Sequence, residues 1–413
     1  MENLTKLVAL LIAVLSIAGI AVGRFPKLKM NRATIALVGA VLIVLTGIMQ
    51  LDDAWLLIDW DTIALLLAIM ILNANFRFSG FFDLVNSHIS KKVHTPNGLL
   101  IVLVFLSGFL SAFFLNDTIV LVFTPLVVIT VLNLKRNPIP YLVALATSAN
   151  IGSAATLIGN PQNILIGATS QYPFGHFFLR MLPVSLLGLG IVWFFVRILY
   201  PAEFKTPLKV VLPEKPPKIH KPLLLKCALA ALMMVMALFA GVKPTLAALG
   251  AATIVLITRR IKPARVFAEI DWSLIVFFAG LFVITGSLEK FGFTEQMAGA
   301  LGDLQNGGLG RLAVASAVLS NLISNVPAVL LLRPLVAALE KPEYAWLILS
   351  MATTFAGNLT LLGSVANLIV AELAGRAGVE LSFREYLKAG VPITILSIAV
   401  GFGIIRIYSL VGI

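Results

Sequence analysis

The chain has 413 residues, of which 59 % are hydrophobic and only 12 % charged, with a mean hydropathy of +1.01. That composition cannot cover a water-facing surface, so a soluble fold is excluded and a polytopic membrane protein is expected. The net charge of +12 sits on Lys and Arg in short loops, a topology signal rather than a nucleic-acid site. Cys227 alone permits no internal disulfide, and His88, His94, His176 and His220 lack zinc-ligand spacing, so neither a metal nor another cofactor is expected.

The first apolar segment, 4–22, has only Lys6 ahead of it but Arg24, Lys27, Lys29 and Arg32 behind it, the reverse of a cleaved signal peptide. Apolar segments follow at 32–50, 60–78, 99–133, 140–169 and 176–198. A Pro- and Lys-rich stretch, "PAEFKTPLKVVLPEKPPKIHKP" from Pro201, then interrupts the series. A second series runs at 222–240, 245–258, 272–289, 310–339, 344–372 and 390–408. The predicted division is a first repeat over 1–200, a cytoplasmic linker over 201–221 and a second repeat over 222–413.

The two series resemble each other in order. "DWDTIALLLAIMILNANFRFSGFF" from Asp59 aligns without gaps on "DWSLIVFFAGLFVITGSLEKFGFT" from Asp271, "NDTIVLVFTPLV" from Asn116 on "NVPAVLLLRPLV" from Asn325, and "TLIGNPQNI" from Thr156 on "TLLGSVANL" from Thr360. Such collinear matches indicate duplication. Basic loops at 24–32, 77–97, 134–137, 201–221, 259–265 and 376–388, set against the acidic stretch 52–61, place the basic loops in the cytoplasm. This assignment requires five crossings per half, with the runs 99–133 and 310–339 returning to the side they left. The expected fold is therefore all-α, with two inverted repeats, each carrying a re-entrant hairpin and a discontinuous helix. The hairpin arms are expected to be about 13–17 residues long, short of the ~20 needed to cross; two full helices joined by a tight turn would preserve the same parity.

The stretch "ANIGSAATLIGNPQNILIGATS" is polar at apparent membrane depth. Non-helical backbone survives there only where protein buries it or a cavity solvates it, and paired breaks in two halves mark a transporter's binding site. The first break, 150–163, begins at Asn150. Gly152 and Gly159 relax its backbone, Pro161 interrupts the ladder, and Ser153, Thr156, Asn160, Gln162 and Asn163 supply neutral donors and acceptors. The second break repeats the device with Gly357, Asn358, Thr360, Gly363, Ser364 and Asn367.

"NDTIVLVFTPLV", "GSAATLIGNPQN", "SNVPAVLLLRPLV" and "GNLTLLGSVAN" resemble the hairpin-tip and broken-helix motifs of the ion transporter superfamily. That superfamily holds arsenite efflux permeases of the ArsB type, NhaD-type sodium/proton antiporters and divalent-anion/sodium symporters. The resemblance implies that the tip Asn116, Asp117 and Thr118 with break 153–163 forms one half-site, and the tip Ser324 and Asn325 with break 358–367 the other. The dicarboxylate branch typically carries Ser-Asn-Thr at both tips. Asn116-Asp117-Thr118 and Ser324-Asn325-Val326 depart from it, and Asn-Asp looks more like the arsenite permeases, whereas "GNPQN" differs from their usual pattern.

Asp117 is the one carboxylate at a tip, and an ionisable residue in the membrane is functional by default, here as the expected proton carrier; the alternative role is a helix N-cap. Arg333, aligned with Thr124, either snorkels, attracts an oxyanion or pairs with a carboxylate. Asp59 and Asp271 are expected to anchor helix starts. With no Walker or hydrolase motif, the expected function is secondary active transport at the cell inner membrane. Proton-coupled efflux of arsenite or antimonite is the first reading; sodium- or proton-coupled citrate or dicarboxylate transport, or sodium/proton antiport, is the alternative. The expected partners are a small inorganic or organic anion or oxyacid, a proton or sodium ion, the bilayer and, as one option, a second copy in a homodimer; nucleic acid is not among them.

Overall fold

Inside lipid a single segment can satisfy its own backbone only as a helix. The computed structural model, which describes residues 2–22, 24–25, 30–92, 95–205, 218–258, 261–293, 299, 308–339 and 341–412, is accordingly almost wholly helical. Most of the linker therefore lies outside the described residues. The first half holds α1 (Glu2–Val22), a two-residue ribbon of β1 (Arg24–Phe25) and β2 (Met30–Asn31), α2 (Arg32–Leu45), α3 (Leu51–Leu56), α4 (Trp60–Ser79), α5 (Phe81–Lys92), α6 (Pro96–Phe113), α7 (Asn116–Asn133), α8 (Ile139–Ser153), α9 (Pro161–Ser170) and α10 (Phe174–Leu199). The second half holds α11 (Lys221–Phe239), α12 (Pro244–Leu256), α13 (Pro263–Ala268), α14 (Trp272–Lys290), α15 (Leu309–Ile323), α16 (Asn325–Ala337), α17 (Glu343–Ala356), α18 (Val365–Arg376) and α19 (Phe383–Val411).

Helix starts follow local chemistry. Asp59 accepts the Thr62 N–H at 3.0 Å and Asp271 the Leu274 N–H at 3.0 Å, so the two Asp-Trp pairs open α4 and α14 as expected. Pro occupies the first position of α6, α9 and α12, where its missing N–H costs nothing. Gly80 ends α4 at φ 77°, a conformation that a side chain would strain.

The surface is inverted relative to a soluble protein. Leu45 and Leu56 are 76 % and 81 % exposed, whereas Asn160, Asn163, Asn358 and Asn367 are all at 0 %. Among the described residues, eight helices are long and apolar enough to cross a membrane, which makes this a multi-pass membrane protein.

Two hairpins and two broken helices occupy the centre. The arms α6 and α7 have 18 residues each and are both among the helices long and apolar enough to cross, so the expectation of arms too short to cross fails for this hairpin; Thr95 caps α6 ahead of the apolar run. The arms α15 and α16 have 15 and 13, inside the expected range. Each hairpin lies on the first piece of its own half's broken helix, α6 on α8 and α15 on α17. Gly152 lies so close to Gly108 that a Cβ there would overlap Gly108 backbone, and Ser107 Oγ and Ser148 Oγ share a 2.6 Å hydrogen bond beside it. In the other half Ser320 Oγ donates to the Thr353 carbonyl at 2.8 Å. Outside this centre the halves trade partners: α2 packs on α14, with Gly280 against Ala36, and α12 packs on α4.

Candidate functional site

Both helix breaks are held open by a side-chain amide that reaches back into the gap. Asn163 Nδ2 donates to the carbonyls of Thr156 at 2.8 Å and Ser153 at 3.4 Å. Asn367 Nδ2 donates to those of Thr360 at 3.1 Å and Gly357 at 2.8 Å. The second set is the first moved along the chain by 204 residues, so both breaks keep the same device for satisfying carbonyls that a broken helix orphans. The cap residues obey the same shift. Asn160, at the start of α9, donates to Thr354 Oγ1 at 3.4 Å across the halves, while Ser364, at the start of α18, donates to Asn150 Oδ1 at 3.2 Å.

Asn150 is the centre of this crossing. Its Nδ2 donates to Asn358 Oδ1 at 2.8 Å and Asn367 Oδ1 at 3.1 Å, and its Oδ1 also accepts from Asn116 Nδ2 of the first tip at 3.0 Å. Asn163 Oδ1 accepts from Ser350 Oγ of the other half at 2.7 Å, and Gln162 Nε2 donates to Thr354 Oγ1 at 3.1 Å. A buried amide left unpaired costs ~1–3 kcal/mol, so each bond here fixes one break against the other.

The tips are fixed differently. Phe114, at the first turn, is ringed by Phe76, Phe81 and Phe82 with centroids 5.0, 5.9 and 5.8 Å away, and the Asn116 N–H donates to the Gly159 carbonyl at 3.0 Å. Ser324, at the second turn, holds φ 80° and ψ 160°, a conformation almost reserved for glycine that costs about 1–3 kcal/mol. Ser320 Oγ lies 2.7 Å from Asn325 Oδ1, so its one proton is shared between that neighbour and the Thr353 carbonyl. No side chain caps α7 or α16; with the Asn116 N–H taken by Gly159 and Pro327 having none, the N–H groups left for a ligand are those of Asp117 and Thr118 on α7 and of Asn325 and Val326 on α16.

Between the tips lies a cavity of 270 Å³. Six helices begin at its wall: α2, α7, α9, α14, α16 and α18. Their N-terminal partial charges favour electron-rich groups. Its charged groups are Arg32, Asp117 and Asp271, which act on one another electrostatically. Asp117 is the second residue of α7, and among the described residues its side chain makes neither a cap bond nor an ion pair. The geometry thus gives it no capping role.

Of the residues expected at the site, Asn116, Asp117, Gln162, Ser324, Asn325 and Ser364 line this cavity. Asn150, Ser153, Asn160, Asn163, Asn358 and Asn367 lie behind it, engaged with each other or with the breaks. Thr156 hydroxyl donates to the Ala112 carbonyl, Thr118 accepts from Asn73 at 3.3 Å, Thr360 contributes its carbonyl, and Gly159 and Gly363 permit close backbone approach. Arg32, Ser273 and Phe277 belong to the wall without having been expected there. Arg32 read only as a loop cation, and nothing in its own segment shows that α2 and α14 bring their N-termini together. Arg333 lies 3.7 Å from Asp59, donates to Thr169 Oγ1 at 3.2 Å and faces the Phe282 ring at 5.4 Å. Of its three alternatives, pairing with a carboxylate is the one observed.

A family model described as citrate transporter matches residues 10–356. An uncharacterized transporter of Mycobacterium tuberculosis is 31 % identical, over 90 % of this chain and 92 % of that one. A silicon efflux transporter of Oryza sativa subsp. japonica is 29 % identical, over 92 % of this chain and 93 % of its own. Among solved structures, the YdaH transporter of Alcanivorax borkumensis matches with a TM-score of 0.58 at 14 % identity, covering 99 % of this chain and 98 % of that one, which is a likeness of fold. With a matched span of that extent, bridging both hairpins and the first broken helix, the chain belongs to the CitMHS citrate transporter family of the ion transporter superfamily and is a secondary transporter.

Proposed function

We propose that the protein exports small uncharged oxyacids, of which arsenous and antimonous acid are the type, in exchange for protons, with the tip-lined cavity as its site. The observation that carries this reading is the charge balance of the wall, one guanidinium against two carboxylates among neutral amides and hydroxyls. A polyanion meets little net attraction there, whereas a neutral solute bearing several hydroxyls finds both donors and acceptors. The rice relative, by its name a silicon efflux transporter, supports the same class, since silicic acid is also an uncharged hydroxy acid in neutral water. Asn116, Asp117, Gln162, Ser324, Asn325 and Ser364 are the proposed ligands, and the amides behind them position the breaks.

The side on which the cavity opens follows from the proposed inverted repeats. The cavity lies beside Arg32 and Asp271, next to the basic loops that the charge rule puts in the cytoplasm. At the opposite, acidic end, Asp53, Asp59 and Asp61 pair with Lys290, Arg333 and Lys243 of the other half. The arrangement corresponds to a state open inward and latched outward. A second reading is carriage of citrate or another carboxylate, favoured by the six converging helix N-termini, Arg32 and the family's description.

A transport panel in proteoliposomes, with arsenite, silicic acid, citrate and sodium under imposed proton or sodium gradients, tests the choice. Arsenite or silicic acid flux driven by a pH gradient is expected; citrate flux with neither of these would replace the first reading by the second.

A further inference from the structure

A second, larger cavity of 900 Å³ opens between the α9–α10 turn, the start of α17 and the end of α19, well away from the tips. Its wall carries Arg180, Lys341 and Arg406 as permanent cations and His176 as a titratable one, against Glu343 as the single carboxylate. Arg180 is part-buried and held in place without an acid: its Cζ lies 5.9 Å from the Tyr172 ring centroid and 5.5 Å from that of Tyr344, and Nη1 donates to the Tyr172 hydroxyl. Among the described residues no carboxylate comes within ion-pairing distance of it.

Two further features point the same way. Helices α10 and α17 start at this wall behind Pro173 and Pro342, with no side-chain cap on either, so the positive ends of two helix dipoles add to the field. Leu179 and Leu410, next to the cavity along α10 and α19, are 63 % and 70 % exposed, which puts lipid at its edge. A guanidinium held between aromatic rings with its fork unspent by any carboxylate is suited to bidentate contact with a phosphoryl group.

We propose that this cavity binds a phosphate-bearing anion, with Arg180 as the central contact and Lys341 and Arg406 as flanking ones. The phosphate can belong to the headgroup of an anionic lipid or to a soluble ion, and the two sources are separable. The purified chain is titrated with phosphatidylglycerol and phosphatidylcholine, with occupancy read by native mass spectrometry, and separately with inorganic phosphate by calorimetry. The same titrations are run on Arg180→Gln, on Arg406→Gln, whose exposed side chain leaves the fold undisturbed, and on Arg32→Gln in the other cavity. A preference for phosphatidylglycerol, weakened about tenfold in the Arg180 variant and less in the Arg406 variant, assigns the lipid. Phosphate binding with that same variant pattern and no lipid preference assigns the soluble ion. Wild-type affinity in both of these variants, or loss only in Arg32→Gln, overturns the proposal, as does a wild-type chain that binds neither probe.

Discussion

Asp117 and the break asparagines are all polar groups at membrane depth, yet their surroundings divide them. Asp117 opens into the cavity with no partner of its own among the described residues, facing Arg32 and Asp271. On the proposed exchange it must release a proton for each solute exported. Asp117→Asn keeps the shape but fixes a neutral form, so pH-driven flux is expected to fall to background while equilibrium binding of solute persists. Retained pH-driven flux in that variant would move the coupling to another group. Asn163 and Asn367 are different, being fully buried with both ends of the amide bonded to protein. Asn163→Ala or Asn367→Ala strands two backbone carbonyls and one partner group, and each is expected to cost ~1–3 kcal/mol, seen as a lower midpoint of thermal unfolding together with reduced transport. Unchanged melting with lost binding would return these two residues to the direct ligand set.

Elements were easier to read from the sequence than the contacts among them. The broken helices were legible because Gly152, Gly159 and Pro161 interrupt an apolar run that would otherwise continue as one helix, and the helix starts at Asp59 and Asp271 because a carboxylate there has an evident use. The lengths of the first hairpin's arms were not, since a cap such as Thr95 extends a helix beyond its apolar stretch. Nor was the trade of partners between α2 and α14, which depends on small residues such as Gly280 whose neighbours are distant in sequence. The site followed the same division: its tips and breaks were legible from local composition, whereas Arg32 joined them only through packing. The meeting of α6 with α8 depends on a glycine too. Gly152→Ala would set a methyl group into Gly108 backbone, so the hairpin must shift; we expect poor insertion or a strongly lowered melting temperature, with Gly190→Ala, which has open space around it, as the neutral control.

For the whole molecule, the proposed inverted arrangement makes a sharp demand on sidedness. In a Cys227→Ala background, single cysteines at positions 3 and 409 should react with an impermeant thiol reagent applied to intact cells, and one at position 209 should not. Labelling at 209 from outside would refute two five-crossing halves. If the demand is met, the paired breaks acquire an electrical meaning. Asn150, Asn160, Asn163, Ser350, Thr354, Asn358, Ser364 and Asn367 bear no net charge, so the voltage across the membrane does no work when they move. A single charge displaced through 100 mV is worth about 2.3 kcal/mol, and such charge is confined to Arg32, Asp117, Asp271 and whatever they hold. The side chains that hold the two broken helices together thus add no net charge for the field to act on, which leaves the resting potential of the cell to act on Arg32, Asp117, Asp271 and the proton or solute they hold.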